Sequence, residues 1–83
     1  MIKRRDTDDM TSQTAPAERL IFAENFRKAR KKAGLTQQAI TDRTGFAQSF
    51  ISEVENGRSS INIDNMAKLA EVVGAPLWKL LVP

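Results

Sequence analysis

The sequence predicts an all-α fold of five short helices. Apolar residues recur three or four positions apart in successive segments between residues 17 and 82, which is the spacing of one helix face. Glycines at positions 34, 45, 57 and 74 separate most of these segments, and glycine is the residue that most readily follows the end of a helix. No stretch alternates apolar and polar residues as a half-buried strand does. With 83 residues, the chain is expected to form one small domain with a modest core.

Composition argues against several classes of function. The chain contains neither cysteine nor histidine, so it lacks disulfides, thiolate metal ligands and the commonest general base. Its serines and aspartates show no base-and-orienter pattern, and we expect no enzymatic activity, metal or cofactor. The apolar segments are short and interrupted by charge, and the N-terminus does not resemble a secretory signal. A cytoplasmic protein without a membrane span, from a bacterium or phage, fits these features.

The charge is mildly positive, with thirteen Lys and Arg against ten Asp and Glu, a net charge of +3. The excess lies mostly between Arg19 and Lys32, in a predicted first helix, Ala17–Ala33, that ends before Gly34. Cations near the end of this helix suit the negative end of its dipole. We interpret Lys28 and Lys31 as a solvated face. A basic surface favours a polyanionic partner only weakly.

The segment from Thr36 to Gly57 predicts a helix, a sharp turn and a second helix. Thr36 can cap the first helix, and Gly45 provides the positive φ that a tight reversal needs. In the second helix, about residues 47–55, one face is apolar and the opposite face carries short polar groups. Such side chains can contact base edges in the major groove of DNA, so the segment predicts a DNA-binding module.

The C-terminal third predicts two more helices. Asn62 is a candidate N-cap, with Ile61 and Met66 as a hydrophobic staple, and this helix ends at Gly74. Pro76 is expected to open a last helix over residues 77–82. That tail is too apolar for one small domain, so part of it is expected to close the core and part to form a dimer surface, the candidates being Leu77, Trp78, Leu80, Leu81 and Val82. The alternative is a satellite core beneath the first helix.

These segments together resemble the XRE family of helix-turn-helix proteins. The match runs from Leu35-Thr36-Gln37 through Gly45 to Glu55-Asn56-Gly57, and extends over about residues 19–82. The family includes Cro and lambda-type phage repressors, restriction–modification controller proteins and several antitoxins. The resemblance implies a five-helix lambda-repressor-like helix-turn-helix domain, assigned to residues 18–83.

The resemblance also implies roles for individual residues. The bases would be contacted by Gln48, Ser49 and Glu53. Phosphate contacts are expected at the start of the first motif helix and around the end of the second, with Arg43 near the end of the first as a further candidate; the residues are Thr36, Gln37, Arg43, Ser52, Asn56 and Arg58. Arg30 and Glu55 match a buried ion pair of the family.

Three positions depart from the family pattern. Thr41 replaces a small residue between the two motif helices, and its hydroxyl is expected to bond back to its own helix. Ala47 cannot cap the second helix, so this helix lacks the roughly 0.5–2 kcal/mol of stability that a Ser or Thr cap contributes. Glu53 presents an acid to a polyanion. It either accepts a hydrogen bond from a cytosine amino group or acts only to disfavour wrong sequences.

Residues 1–17 have too little apolar surface to offset the entropy of ordering, and we expect a mobile arm. Lys3, Arg4 and Arg5 could reach DNA, although nearby aspartates cancel most of their field. Met1–Arg5 could instead add a short strand in a dimer.

The expected function is a sequence-specific transcription regulator, a repressor that binds double-stranded DNA as a homodimer. Two recognition helices about 34 Å apart would occupy successive major grooves of a near-palindromic operator. A unit this small suits autoregulation, as in controller or Cro-like proteins. The alternative is a DNA-binding antitoxin whose main partner is a toxin. A purely structural helical adaptor would leave the polar face of the second motif helix without a purpose.

Overall fold

The computed structural model describes residues 15–83, which form four α-helices and a short 3₁₀ helix. The α-helices are α1 (Ala17–Lys32), α2 (Gln37–Thr44), α3 (Gln48–Glu55) and α4 (Ile63–Val72), and the 3₁₀ helix is Leu77–Leu81. Within this part of the chain there is no strand, and no helix is long and apolar enough to cross a membrane. The expectations for residues 1–14, including the basic cluster Lys3, Arg4, Arg5 and the Met1–Arg5 strand, lie outside the described residues.

The prediction of five α-helices is wrong in its last element. Residues 77–81 form a 3₁₀ helix, and the Lys79 N–H donates to the Pro76 carbonyl at 3.0 Å. Only five residues separate Pro76 from the extended Val82. A segment that short gains too few i→i+4 hydrogen bonds to offset the entropy of nucleating an α-helix, so the tighter turn forms instead.

The core lies where the four helices and the C-terminal turn converge. The rings of Phe22 and Phe26 on α1 stack with their centroids 5.9 Å apart, and neither side chain is exposed. The other members of this buried cluster come from the other helices and the C-terminal turn: Ile40, Ile51, Val54, Leu69, Ala70, Val73 and Leu80. The cluster thus contains both helices of the predicted turn motif, whose relative orientation it fixes.

The predicted caps and turns form. The Thr36 hydroxyl accepts from the Ala39 N–H at 3.0 Å, and the Asn62 carboxamide accepts from the Asn65 N–H at 2.8 Å. Gly45 closes α2 with φ 82°. These local features were confirmed because each depends on residues within one turn of the chain.

The expectation that Thr41 bonds back to its helix is wrong. Its hydroxyl oxygen is buried and has no hydrogen-bond partner among the described residues. Thr44, one turn later, makes the bond instead: its hydroxyl donates to the Ile40 carbonyl at 2.7 Å and accepts from the Phe46 N–H at 3.1 Å. The Phe46 amide beyond the end of α2 gives the Thr44 hydroxyl a second partner that Thr41, inside the helix, does not have.

Candidate nucleic-acid interface

Helix α3 divides into a buried face and an exposed polar face. Ile51 and Val54 are 0% and 2% exposed and pack in the core. Gln48, Ser49 and Glu53, the candidate base-contacting residues, all lie on the exposed side. Ala47 precedes the helix without a side-chain cap, as its sequence requires. The outward face of α3 therefore presents an amide, a hydroxyl and a carboxylate to the surroundings.

The entry to α3 is fixed by aromatic packing. The rings of Phe46 and Phe50 lie 5.2 Å apart at a tilt of 57°, and the Lys68 ammonium group lies 5.8 Å from the centre of the Phe46 ring. This contact joins α4 to the turn between α2 and α3. The start of α3 is consequently held by side chains as well as by the backbone turn.

The other end of α3 is held by a buried ion pair. The Arg30 guanidinium on α1 donates to the Glu55 carboxylate from Nε at 2.6 Å and from Nη2 at 3.0 Å, and from Nη1 to the Leu35 carbonyl at 2.8 Å. Gln37, the first residue of α2, donates to the same carboxylate at 3.2 Å. The Glu55 side chain is only 4% exposed. This bidentate pair fixes α3 against both α1 and α2.

The candidate phosphate-binding residues differ in their solvent exposure and in the hydrogen bonds they already make. Thr36, Arg43, Asn56 and Arg58 are exposed, whereas Gln37 is half-buried and uses one amide proton on Glu55. Its second amide proton is still available as a donor. The Asn56 side-chain amide donates to the Ser52 hydroxyl at 3.5 Å, beside the exposed face of α3.

The structure also brings two basic residues of α1, Arg27 and Lys31, to this region. A polar cleft of about 410 Å³ lies between α1, the start of α2 and the end of α3, and Arg27 and Lys31 line it together with Gln37 and Asn56. Lys31 was interpreted only as a solvated residue. The i, i+4 spacing of Arg27 and Lys31, on a helix that also carries Arg30, is the sequence signal that could have drawn attention to them.

The C-terminal tail separates into buried and exposed side chains. Trp78 and Val82 are 63% and 48% exposed, and Leu77 and Leu81 are half-buried against the core. Leu80 is 4% exposed, so it belongs to the core and the expectation that it forms part of the dimer surface is wrong. A side chain already covered within its own chain has no apolar area left to bury against a second copy.

Asn25 on α1 anchors this tail, a contact that no sequence pattern indicates. Its amide donates to the Leu80 carbonyl at 3.1 Å and to the Val82 carbonyl at 2.7 Å, across more than fifty residues of sequence. An asparagine in the middle of a helix carries no pattern that would indicate such a distant acceptor.

Comparisons with known proteins agree with this geometry. A family model described as helix-turn-helix (HTH_3) matches residues 26–77. The HTH-type transcriptional regulator y4dJ of Sinorhizobium fredii is 32% identical over 65 residues, covering 78% of this chain and 84% of the relative. The crystal structure of the hypothetical transcription factor NHTF from Neisseria superimposes with a TM-score of 0.75 at 30% identity, covering 84% of each chain.

A third similar protein is the restriction–modification controller protein C.AhdI from Aeromonas hydrophila. Its crystal structure gives a TM-score of 0.72 at 26% identity, covering 78% of this chain and 98% of that one. The family match spans more than half of the 83 residues and includes both motif helices and the Arg30–Glu55 ion pair, the clamp between α1 and α3. The chain belongs to the XRE-type helix-turn-helix family, whose members are DNA-binding transcriptional regulators.

Proposed function

We propose that the protein regulates transcription by binding a specific DNA sequence, with Gln48, Ser49 and Glu53 contacting bases in the major groove. The observation that carries this proposal is the division of α3, whose apolar side is in the core while these three side chains are exposed. Gln pairs best with adenine, Ser serves several bases and Glu accepts from the cytosine amino group. The Arg30–Glu55 clamp supports the proposal because a base-contacting helix must be held rigidly.

The phosphate contacts would come from the ends of the motif helices. Thr36 caps α2 and satisfies one of its first amides, and the other amides at that N-terminus suit a phosphate. Arg58 follows the end of α3, and Asn56, Ser52, Gln37 and Arg43 complete the expected set. Binding is therefore expected to weaken steeply with salt, because each neutralised phosphate releases counterions.

We further propose that the protein binds as a homodimer to a near-palindromic operator. The exposed Trp78 and Val82, with the half-buried Leu77 and Leu81, form the apolar surface that we assign to the dimer. Two copies related by a twofold axis would set their α3 helices about 34 Å apart, one turn of DNA. Two half-sites roughly double the binding free energy that one small module can provide, apart from the cost of dimerisation.

Autoregulation as a controller or Cro-like repressor in the cytoplasm is the biological setting we favour. The likeness to C.AhdI, a restriction–modification controller, supports it. We propose no catalytic role. Among residues 15–83, no three His, Cys, Asp or Glu side chains cluster in a way that could hold a metal ion. A methyltransferase or restriction nuclease gene next door would agree with a controller, and a small toxin gene would instead favour the antitoxin alternative.

Selection of bound duplexes from a random pool tests the proposal directly. Wild-type protein should select two inverted half-sites with centres about 10 base pairs apart. Ser49→Ala and Glu53→Gln should each relax or change the preference at one base pair, by about 1–3 kcal/mol. Lys28→Ala is the matched control, because Lys28 pairs with Glu24 on α1 and should leave the selected sequence unchanged. Variants of Ser49 and Glu53 that select the wild-type sequence would contradict base contact by this face.

A further inference from the structure

We propose that the cleft between α1, α2 and α3 binds a DNA backbone phosphate, gripped by Arg27 and Lys31. This inference rests on the proposed function, since it concerns the same face of the protein. It adds a contact from α1, a helix to which no DNA contact was assigned. The cleft has a volume of about 410 Å³, and its lining residues are Arg27, Arg30, Lys31, Gln37, Glu55 and Asn56.

The charge of the cleft is set by Arg27 and Lys31. The Glu55 carboxylate is already neutralised by the two hydrogen bonds from Arg30 and receives a third from Gln37. Between residues 15 and 83, ion pairs join Lys28 to Glu24 and Arg30 to Glu55, and neither Arg27 nor Lys31 takes part in them. The cleft therefore holds two positive charges that no carboxylate of the described chain compensates.

The spacing of the two cations makes an anion between them favourable. Arg27 and Lys31 are one helical turn apart on the same face of α1, where like charges repel each other. An anion placed between them would remove this repulsion and add charge-assisted hydrogen bonds. The Asn56 amide and the second amide proton of Gln37 provide neutral donors on the opposite side of the cleft. A phosphodiester, with two anionic oxygens, matches this arrangement of donors.

The position of the cleft indicates DNA as the source of the phosphate. Asn56 follows directly on α3, and its side chain contacts Ser52, which borders the exposed face with Gln48 and Ser49. DNA held against that face would bring its backbone past the end of α3 and over the cleft. The site is open to solvent, so a small free anion would keep most of its water, whereas a phosphate of bound DNA is held there by contacts elsewhere.

Two other lysines of α1 provide a matched control. Lys28 is paired with Glu24 at 3.1 Å, and Lys32 borders a different groove, between α1 and the residues around Pro76. The double variants R27A/K31A and K28A/K32A therefore carry the same net charge and the same number of truncations on one helix. Only the first pair removes the cleft cations.

The experiment measures the affinity of the full chain for its selected duplex at several salt concentrations. R27A/K31A is expected to bind at least tenfold more weakly at low salt. The slope of log K against log salt should become shallower by about 0.9, which corresponds to one lost phosphate contact. K28A/K32A should keep the wild-type slope, and both should keep the wild-type melting temperature and sequence preference. Equal losses in the two double variants would overturn the proposal, because they would indicate only the general charge of α1.

Neutral methylphosphonates introduced one at a time along the duplex locate the contact. Wild-type protein should lose affinity at one phosphate per half-site at which R27A/K31A loses none. If no position shows this difference, the cleft does not hold a phosphate. Should R27A/K31A fold poorly, R27Q/K31Q serves in its place. The salt slope can also be measured on duplexes of random sequence. If the wild-type protein selects no sequence, the proposed function is refuted, and the slopes of the two double variants on random duplexes still decide whether the cleft holds a phosphate.

Discussion

Arg30 and Glu55 are joined by two hydrogen bonds across 25 residues of sequence, and this contact links the first helix to the end of the helix proposed to enter DNA. Both side chains are almost fully covered, at 11% and 4% exposure. A buried pair of this kind adds little net stability compared with apolar residues. Its value lies in fixing the direction of α3, because a bidentate pair has one preferred geometry.

Arg30→Ala is expected to destabilise the domain by roughly 3–5 kcal/mol, because it leaves the Glu55 carboxylate buried without its cation. A domain of this size has only a few kcal/mol of stability, so much of the variant should be unfolded at room temperature. Urea unfolding followed by circular dichroism measures the effect. Arg27→Ala, an exposed arginine one turn earlier, is the control and should leave the free energy of unfolding nearly unchanged. A loss of DNA affinity with unchanged unfolding would show that Arg30 acts only on DNA.

Thr41→Val and Thr44→Val should change stability in opposite directions. Thr41→Val removes a buried hydroxyl that has no partner in the described chain, and should stabilise the fold by about 1 kcal/mol. Thr44→Val removes a hydroxyl that makes two hydrogen bonds, and should destabilise it by roughly 1–2 kcal/mol. The midpoints of urea unfolding of the two variants and the wild type measure both changes in stability. Destabilisation by both substitutions would mean that Thr41 finds a partner in solution.

Gly57→Ala and Gly74→Ala separate the cost of backbone conformation from that of a close contact. Both glycines have positive φ, 72° and 76°, which costs another residue about 1–2 kcal/mol. A Cβ at Gly57 would also lie 2.7 Å from Leu20 Cδ2, whereas one at Gly74 meets nothing within 4 Å. Gly57→Ala should therefore cost up to about 1.5 kcal/mol more, as Leu20 leaves its rotamer. In a Leu20→Ala background the close contact is absent, so Gly57→Ala and Gly74→Ala should then cost about the same free energy of unfolding. If the difference between them stays the same, Leu20 is not its cause.

Trp78→Ala and Leu80→Ala test the proposed dimer surface against the core. Trp78 is mostly exposed, so its loss should leave the unfolding of the monomer nearly unchanged while it weakens self-association and operator binding. Leu80 is buried, and its truncation should destabilise the fold by roughly 2–5 kcal/mol. Sedimentation equilibrium and urea unfolding measure the two effects. A Trp78→Ala variant with the oligomeric state of the wild type would remove this surface from the proposal.

Much of the local structure could be predicted from the sequence, because it depends on neighbours within one or two turns. The caps at Thr36 and Asn62 and the reversal at Gly45 follow from short-range hydrogen bonding and from the freedom of glycine. The core stripe of Phe22 and Phe26 follows from helical spacing. The family resemblance added the pairing of Arg30 with Glu55, which no local pattern could indicate.

The order of residues along the chain is enough to show where four helices run, which of their faces are apolar and which polar side chains α3 can present. Long-range packing settles that Leu80 is covered while Trp78 is exposed, that the Thr41 hydroxyl has no partner among residues 15–83 and that Asn25 holds the tail. It also decided that Arg27 and Lys31 share a cleft with Gln37 and Asn56. Burial, hydrogen-bond satisfaction and local charge each depend on the residue across a contact, and in these cases that residue is distant in the chain.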